Sequence, residues 1–265
     1  MTDIHSVLIT GAWTGIGLEF TRQFLKNPEA QAHIVIATCL VPDEAADLLE
    51  LQKNHPNLHI LELDVTKFST FDSVVSKVSE IVGEKGLTLL INNAGTYGMM
   101  GRLEKIDPEV YIKILEVNCV APVMVTRAFL PLLKQSAAAN ASKHDDGLSL
   151  TRAAVINISS IFGSIKVTGT SKTYGFIRAY GYKESKAALN MSTQMMSSEL
   201  RAYGILVESI HPGFVQTDMT TKGLPGLKAE LSPETSVTNM LKVMLSIKEK
   251  IKDGYCSYDG TILPF

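Results

Sequence analysis

Seven short runs of apolar and β-branched residues recur along the chain, each parted from the next by a longer stretch of mixed character. They are SVLIT (6–10), HIVIATC (33–39), LHILELDV (58–65), LTLLINNAG (87–95), AAVINISS (153–160), ILVESIHP (205–212) and GYCSYDG (254–260). Runs that are apolar almost throughout, rather than at every second position, suit strands covered on both faces. The stretches between them carry helical spacing, so strand and helix alternate from end to end. That rhythm predicts an α/β fold: a doubly wound, seven-stranded parallel sheet with helices on both faces. No repeat or interdomain linker breaks the 265 residues, so residues 1–265 are expected to form a single domain.

The helical stretches are read from their apolar spacing. In GLEFTRQFLKN, Leu18, Phe24 and Leu25 share a side. In FDSVVSKVSEIV, Val74, Val75, Val78, Ile81 and Val82 recur at helical intervals. PEVYIKILEVNCVAPVMVTRAFLPLLKQS is long, and Pro122 near its middle predicts a kink. A fourth helix is expected to begin near Ala179 and to end near Tyr203. Two segments depart from the rhythm. Residues 135–150 are small and polar and read as a surface extension of a helix plus a loop. Residues 213–233 follow the sixth run, carry Gly and Pro punctuation, and are a candidate substrate lid, since open α/β sheets bind ligands beyond the strands' carboxyl ends.

Composition removes several classes of function. The 25 basic and 27 acidic residues give a net charge of -2, without the basic excess that nucleic acid demands. Cys39, Cys119 and Cys256 are too few and too scattered for a disulfide framework, and none stands at metal-ligand spacing with a histidine, so no metal site is expected. The first strand starts almost at once, leaving no room for a signal peptide, and no uninterrupted apolar run approaches the roughly 18 residues that span a bilayer. A cytoplasmic protein without nucleic-acid or membrane partners is the expectation.

Chemistry enters at the glycines of ITGAWTGIGLEF. Gly11, Gly15 and Gly17 follow the first strand and open the first helix, where free N–H groups and a positive dipole end suit a pyrophosphate. Their spacing is G-x-x-x-G-x-G rather than G-x-G-x-x-G. At the end of the fourth strand, Asn92 and Asn93 can tie neighbouring strand ends together, and Ala94 and Gly95 leave space for a ribose or ring. Tyr182 and Lys186 lie four apart and so share a helix face. A tyrosine of ordinary pKa near 10 relays protons poorly at neutral pH, but a neighbouring ammonium would stabilise its phenolate and lower that value. NISS (157–160) ends the fifth strand on the same sheet edge, where a hydroxyl can orient a carbonyl oxygen. Tyr180 meets Glu184, not a lysine, four residues on, and His211 stands alone at a strand end.

Together, TGxxxGxG, LDV (63–65), NNAG (92–95), NISS, YxxxK and PGFVQT resemble the short-chain dehydrogenase/reductase family, and the likeness extends over nearly the whole chain. Within the family it is most similar to the sniffer-like carbonyl reductases, on NNAGTYG, RAAVINISSIFGSI, YKESKAALN, HPGFVQTDM and YDGTILPF. The resemblance implies a Rossmann fold and a catalytic quartet of Asn118, Ser160, Tyr182 and Lys186. It implies cofactor contacts from Gly11, Thr14, Gly15, Ile16 and Gly17 in the loop, and from Leu40 after the second strand. Asp64 and Val65 would lie beside the adenine, with Asn93, Ala94 and Gly95 against the ribose and ring. Tyr182 and Lys186 face the nicotinamide side, where Pro212 and Gly213 shape the pocket and Val215 and Thr217 contact the carboxamide and phosphate.

The implied reaction is reduction of a hydrophobic ketone, aldehyde or quinone to the alcohol, with NADP(H) favoured and NAD(H) still open. Two positions depart from the family's NADP-preferring pattern: Thr14 and Leu40 stand where basic residues are expected. The acid that would select NAD is also missing, since Cys39 occupies its place. Two alternatives follow, an NAD-linked alcohol or steroid dehydrogenase and a non-catalytic, cofactor-binding regulatory protein on the same fold. A rim of Tyr97, Met99, Met100, Phe162, Tyr174, Phe176 and Met219 suits a small hydrophobic carbonyl substrate. The family's habit of pairing through the helix of the Tyr/Lys motif and its neighbour implies dimers or tetramers, with a homodimer the expectation, and KQSAAANASKHDDG, an extension that could block such pairing, leaves a monomer open.

Overall fold

The computed structural model describes residues 3–98, 101–143, 147–172, 175, 177–223, 228–249 and 254–265. Strands β1 (Ile4–Ile9), β2 (Ala32–Cys39), β3 (Leu58–Glu62), β4 (Leu89–Asn92), β5 (Ala154–Ile158), β6 (Leu206–His211), β7 (Tyr255–Ser257) and β8 (Ile262–Leu263) form one sheet. Its order is β3-β2-β1-β4-β5-β6-β7-β8. All seven expected runs became strands, and the first seven are mutually parallel. The expected count falls short by one. After β7 the chain reverses through a turn closed by Ser257 N–H to Thr261 O at 2.7 Å, and β8 pairs antiparallel with β7. Two residues are too few to show a period, so nothing in the sequence pattern marks β8.

Helices α1 (Gly15–Lys26), α2 (Ala46–Asn54), α3 (Phe71–Val82), α4 (Pro108–Leu115), α5 (Ala121–Ala139), α6 (Ile165–Thr170), α7 (Tyr182–Leu200), α8 (Asp218–Gly223) and α9 (Pro233–Ser246) occupy the connections. The near-continuous apolar strands feed two cores by alternation. Val7, Ile9, Leu89, Ile91, Ala154 and Ile156 face one side, with Phe20 and Phe24 of α1 and Met240 and Met244 of α9. Leu8, Leu90 and Val155 face the other, with Val74 and Val78 of α3 and Val125, Phe129 and Leu133 of α5. Each Val, Leu, Ile, Phe or Met among them contributes about 1.5–3 kcal/mol by leaving water. The glycine loop and the ends of β4, β5 and β6 are thereby brought to one side of the sheet, since register pairs Ile9 with Ile91, Asn92 with Asn157 and Asn157 with Ser209.

Three expectations on helices need correction. The long helix does not simply kink at Pro122: a π-helical turn, Glu116–Val120, separates α4 from α5, and Pro122 lies in the first turn of α5. Proline has no N–H for the carbonyl four residues earlier, that of Asn118, so regular α pairing cannot pass through it. Taken together, Pro108–Ala139 is long and apolar enough, by length and composition alone, to cross a membrane, contrary to the sequence expectation. Its apolar face is nonetheless packed on the sheet through Val125, Phe129, Leu132 and Leu133. The fourth expected helix starts three residues late, at Tyr182, because Gly181 at φ 79° holds a backbone that a helix cannot include.

Residues 135–139 extend a helix, α5, as expected, and Ala138 and Ala139 are exposed, but the segment is not all surface. Ser136 and Ala137 are buried, and Ser136 Oγ lies 3.0 Å from Thr88 Oγ1 and donates to Arg152 O at 3.1 Å. The 213–233 segment is closed at its base: Val215 pairs with Leu231, and Gln216 N–H donates to Leu231 O at 2.8 Å. Cys39, Cys119 and Cys256 are free thiols.

Candidate active site

The glycine turn is built around Thr10 and Asn93. Thr10 Oγ1 accepts from the amides of Asn93 and Ala94, both at 3.0 Å, while Asn93 Nδ2 donates to the carbonyls of Thr10 (2.9 Å) and Gly11 (3.0 Å). Gly17 is there for space: a Cβ would strike the Gly11 carbonyl and lie 2.9 Å from Ala12 Cα. Gly15, at φ 57°, lies beside Thr217, whose methyl would be 3.2 Å from an added Cβ. Thus the loop after β1 meets the loop after β6, as expected for two halves of one binding cleft.

Helix α1 begins without a cap. Thr14 sits at the N-cap position with no side-chain hydrogen bond, and no acidic residue occupies the first turn. Helix starts leave up to four N–H groups unpaired, and these attract an anion. The residues present therefore fit a dinucleotide pyrophosphate, with Ile16 and Gly17 in the first turn. Leu40 lies exposed just past β2. Asp64 does not end β3; it stands two residues beyond, where its carboxylate accepts from Thr66 N–H (3.0 Å) and Thr66 Oγ1 (2.8 Å) and faces Lys67 at 3.8 Å. These partners hold its pKa below the ordinary value against the opposing effect of burial. Val65 follows it and is buried in the α3 and α5 side of the core.

On the β6 side, the Pro212 carbonyl accepts from Ser236 Oγ at 2.6 Å, fixing the strand's exit to α9. Gly213, at φ 84°, is walled by Leu231 and by the Tyr258 ring, 2.9 Å from an added Cβ. Val215 is buried, and Thr217 lies against Gly15 of the glycine turn.

The catalytic candidates converge. Tyr182 opens α7, and Lys186 follows one turn later with its Nζ 5.8 Å from the Tyr182 ring centroid. Lys186 is buried, and Nζ donates to the Ile158 carbonyl at the end of β5, 2.7 Å away. Ser160 caps the short turn Ile161–Gly163; its Oγ accepts from Phe162 N–H at 3.2 Å, and its hydroxyl bonds to the Tyr182 phenol. Ser159 points away and donates to Asn190 Oδ1 at 2.7 Å. Asn118 lies in the π-turn, fully buried, with Nδ2 donating to Thr96 O (2.8 Å) and to Ser185 Oγ (3.0 Å) and Oδ1 accepting from Thr96 N–H (2.8 Å). Its side chain is wholly engaged in pinning the loop after β4 to α7. Sequence reasoning missed Ser185 and Thr96, which carry no motif.

Electrostatics depart from the sequence expectation in one respect. Tyr182 is not lowered: desolvation raises its pKa to about 12, opposed by the hydrogen bond from Ser160. Desolvation likewise lowers Lys186 to about 8, opposed by Cys119. Burial outweighs the Ser160 hydrogen bond, so at neutral pH the phenol is a protonated donor. His211 is pushed down to about 4 by desolvation, against the pull of Asp259, and is neutral at pH 7. Tyr180 is exposed at the surface.

The rim is apolar where it is described. Tyr97 packs on Tyr182 at 4.9 Å between ring centroids, Phe162 meets the same ring edge-on at 6.2 Å, and Met219 Cε lies 3.9 Å from where a Gly95 Cβ would be. Met99, Met100, Tyr174 and Phe176 lie outside the described residues. No group of three or more potential metal ligands occurs among the described residues.

Residues 5–226 match the short chain dehydrogenase family. The carbonyl reductase Sniffer of D. melanogaster superposes with a TM-score of 0.90 at 36% identity, covering 99% of this chain and 100% of its own. An NADPH-bound carbonyl reductase from chicken fatty liver does so with a TM-score of 0.90 at 36% identity, covering 100% and 96%. An uncharacterized oxidoreductase of Schizosaccharomyces pombe is 32% identical over 269 residues, covering 97% of this chain and 96% of its own.

Proposed function

The chain belongs to the short chain dehydrogenase family and is an NAD(P)-dependent oxidoreductase, and from that premise we propose that it reduces a hydrophobic carbonyl compound, a ketone, aldehyde or quinone, to the alcohol. The observation that carries this reading is the convergence of Ser160, just past β5, with Tyr182 at the start of α7 and, one helical turn on, the buried Lys186, whose Nζ lies 5.8 Å from the Tyr182 ring. The cofactor, when bound, supplies the hydride. The chain's own residues hold the substrate and manage the proton.

Ser160 donates to the carbonyl oxygen and orients it. Tyr182 gives its phenolic proton to that oxygen as the carbon–oxygen double bond becomes single, and the resulting phenolate lies beside Lys186. Lys186 stabilises that charge and is placed to hold the ribose hydroxyls. Asn118 fixes the loop after β4, and its carbonyl, four residues before Pro122, receives no N–H from that residue and is a place for the water that returns the proton. The uncapped start of α1, with Thr14, would hold the pyrophosphate, and Thr217 would reach it from across the cleft. Tyr97, Phe162 and Met219 shape an apolar pocket for the substrate, with the 213–233 segment as its flap and the whole chain acting as one domain in the cytosol.

NADP(H) is the favoured cofactor, supported by the NADPH carried by the chicken reductase. Exposed Leu40 offers no charge to select either form, so NAD(H) should bind measurably too. Pairing of two copies through α5 and α7 is the proposed assembly; Val120, Met191 and Met195 are exposed apolar residues on or beside these helices. Titration of the purified protein with NADPH and NADH, read by nicotinamide fluorescence and thermal shift, tests the reading. Saturable binding with NADPH the tighter, followed by turnover of hydrophobic carbonyls, is expected; binding of neither at millimolar cofactor would contradict it.

A further inference from the structure

Tyr255 in β7 is fully buried, and its hydroxyl donates to the main-chain carbonyl of Ser160 at 2.8 Å, across 95 positions of sequence. The same carbonyl accepts the Gly163 amide at 2.8 Å, which closes the turn Ile161–Gly163. That turn is wedged against α7: a Cβ at Gly163 would lie 2.8 Å from the main-chain carbon of Lys186 and 2.9 Å from Asn190 Nδ2. Asn190 accepts from Ser159 Oγ at 2.7 Å and hydrogen-bonds to the Tyr255 phenol. On the other side of the phenol ring, Phe265 stacks at 5.9 Å, and its own carbonyl accepts from Lys166 N–H at 3.1 Å, at the start of α6. The last strand pair and the end of the chain are thus hydrogen-bonded to both ends of the segment that presents Ser160.

Among the restraints on this three-residue turn, the Tyr255 hydroxyl is one that comes from outside the turn and α7. The Ser160 hydroxyl projects from a backbone whose carbonyl is held by two donors at one oxygen, the Gly163 amide from within the turn and the Tyr255 hydroxyl from the neighbouring strand. We propose that Tyr255 is a positioning residue for the reduction: by holding the Ser160 carbonyl it sets the angle at which the Ser160 hydroxyl meets Tyr182 and the substrate oxygen. Phe265 covers the phenol and keeps its hydroxyl on the carbonyl rather than in water. The role rests on the reading of Ser160 and Tyr182 given above, but the hold on the turn can be measured without it.

Tyr255→Phe keeps the ring against Phe265 and removes one hydroxyl. In the full-length protein kcat for carbonyl reduction should fall about tenfold, the loss expected of one buried hydrogen bond, while KM for NADPH stays within about twofold. Amide exchange at Phe162 and Gly163 should quicken about tenfold while the amides of β4 and β5 keep their protection. Phe265→Ala, which leaves the hydroxyl in place, should quicken the same two amides to a smaller extent. A kcat equal to wild type, or a loss of protection spread evenly over the sheet, would overturn the proposal. Were the wild-type protein to reduce no carbonyl compound, the functional reading would fall; unchanged exchange at Phe162 and Gly163 would then separately overturn the hold on the turn.

Discussion

At the scale of single residues, Tyr182 and Lys186 are driven in opposite directions by one cause. Burial disfavours charge, so it raises the phenol to about 12 and lowers the ammonium to about 8. The cation is therefore the group that titrates first as pH rises. Below about 8 both are protonated, the state that donates a proton; above it the lysine charge is lost while the phenol is still neutral. kcat/KM for reduction, which reports groups of the free enzyme, should be level from pH 6 to about 8 and then decline. A pH profile with no decline before pH 10 would mean that Lys186 keeps an ordinary pKa. The pairing of Tyr182 with Lys186 was legible from helical spacing and the NISS run from its strand end, whereas Asn118 and the choice of Ser160 came only from the family resemblance. The direction of the Tyr182 shift was not legible, because a helix face tells which residues are adjacent and not how much water remains around them. Tyr255 was legible only as part of a strand, since its partner is fixed by the sheet order and not by any local pattern.

At the scale of elements, the turn from β1 into α1 joins three loops at Gly11, Gly17 and Asn93. Gly17→Ala places a methyl where the Gly11 carbonyl now lies, so either the glycine turn or α1 must shift. Cofactor affinity should drop at least about tenfold and the protein lose about 1–3 kcal/mol, as overpacked sites do; fluorescence titration and urea unfolding of the variant read both. Wild-type affinity would show that the loop does not grip the cofactor. Seven strands were legible because two-sided burial demands long apolar runs, and α3 because its valines keep strict spacing. β8 was too short to read, the start of α7 was moved by a single backbone angle at Gly181, and the π-turn depends on a hydrogen bond that Pro122 cannot make. The 135–139 segment looked like surface because alanine and serine are small, yet smallness is what lets α5 press Ser136 onto Thr88 and Arg152.

At the scale of the whole molecule, the parallel order β3-β2-β1-β4-β5-β6-β7 lines up the ends of β1, β4, β5 and β6 on one edge. The glycine turn, Asn93, Ser160 and Thr217 all follow from that alignment, and α7 crosses the edge to deliver Tyr182 and Lys186. Nothing in the sheet itself performs chemistry; it sets distances so that one phenol, one hydroxyl and one ammonium share a desolvated volume. The central claim is that Tyr182 donates the proton in carbonyl reduction. Its most direct test is NADPH oxidation at 340 nm with a panel of hydrophobic ketones, aldehydes and quinones, comparing wild type with Tyr182→Phe. Loss of turnover by about 100-fold or more, with NADPH affinity and unfolding midpoint unchanged, is the expected result. Undiminished turnover in Tyr182→Phe would contradict the assignment.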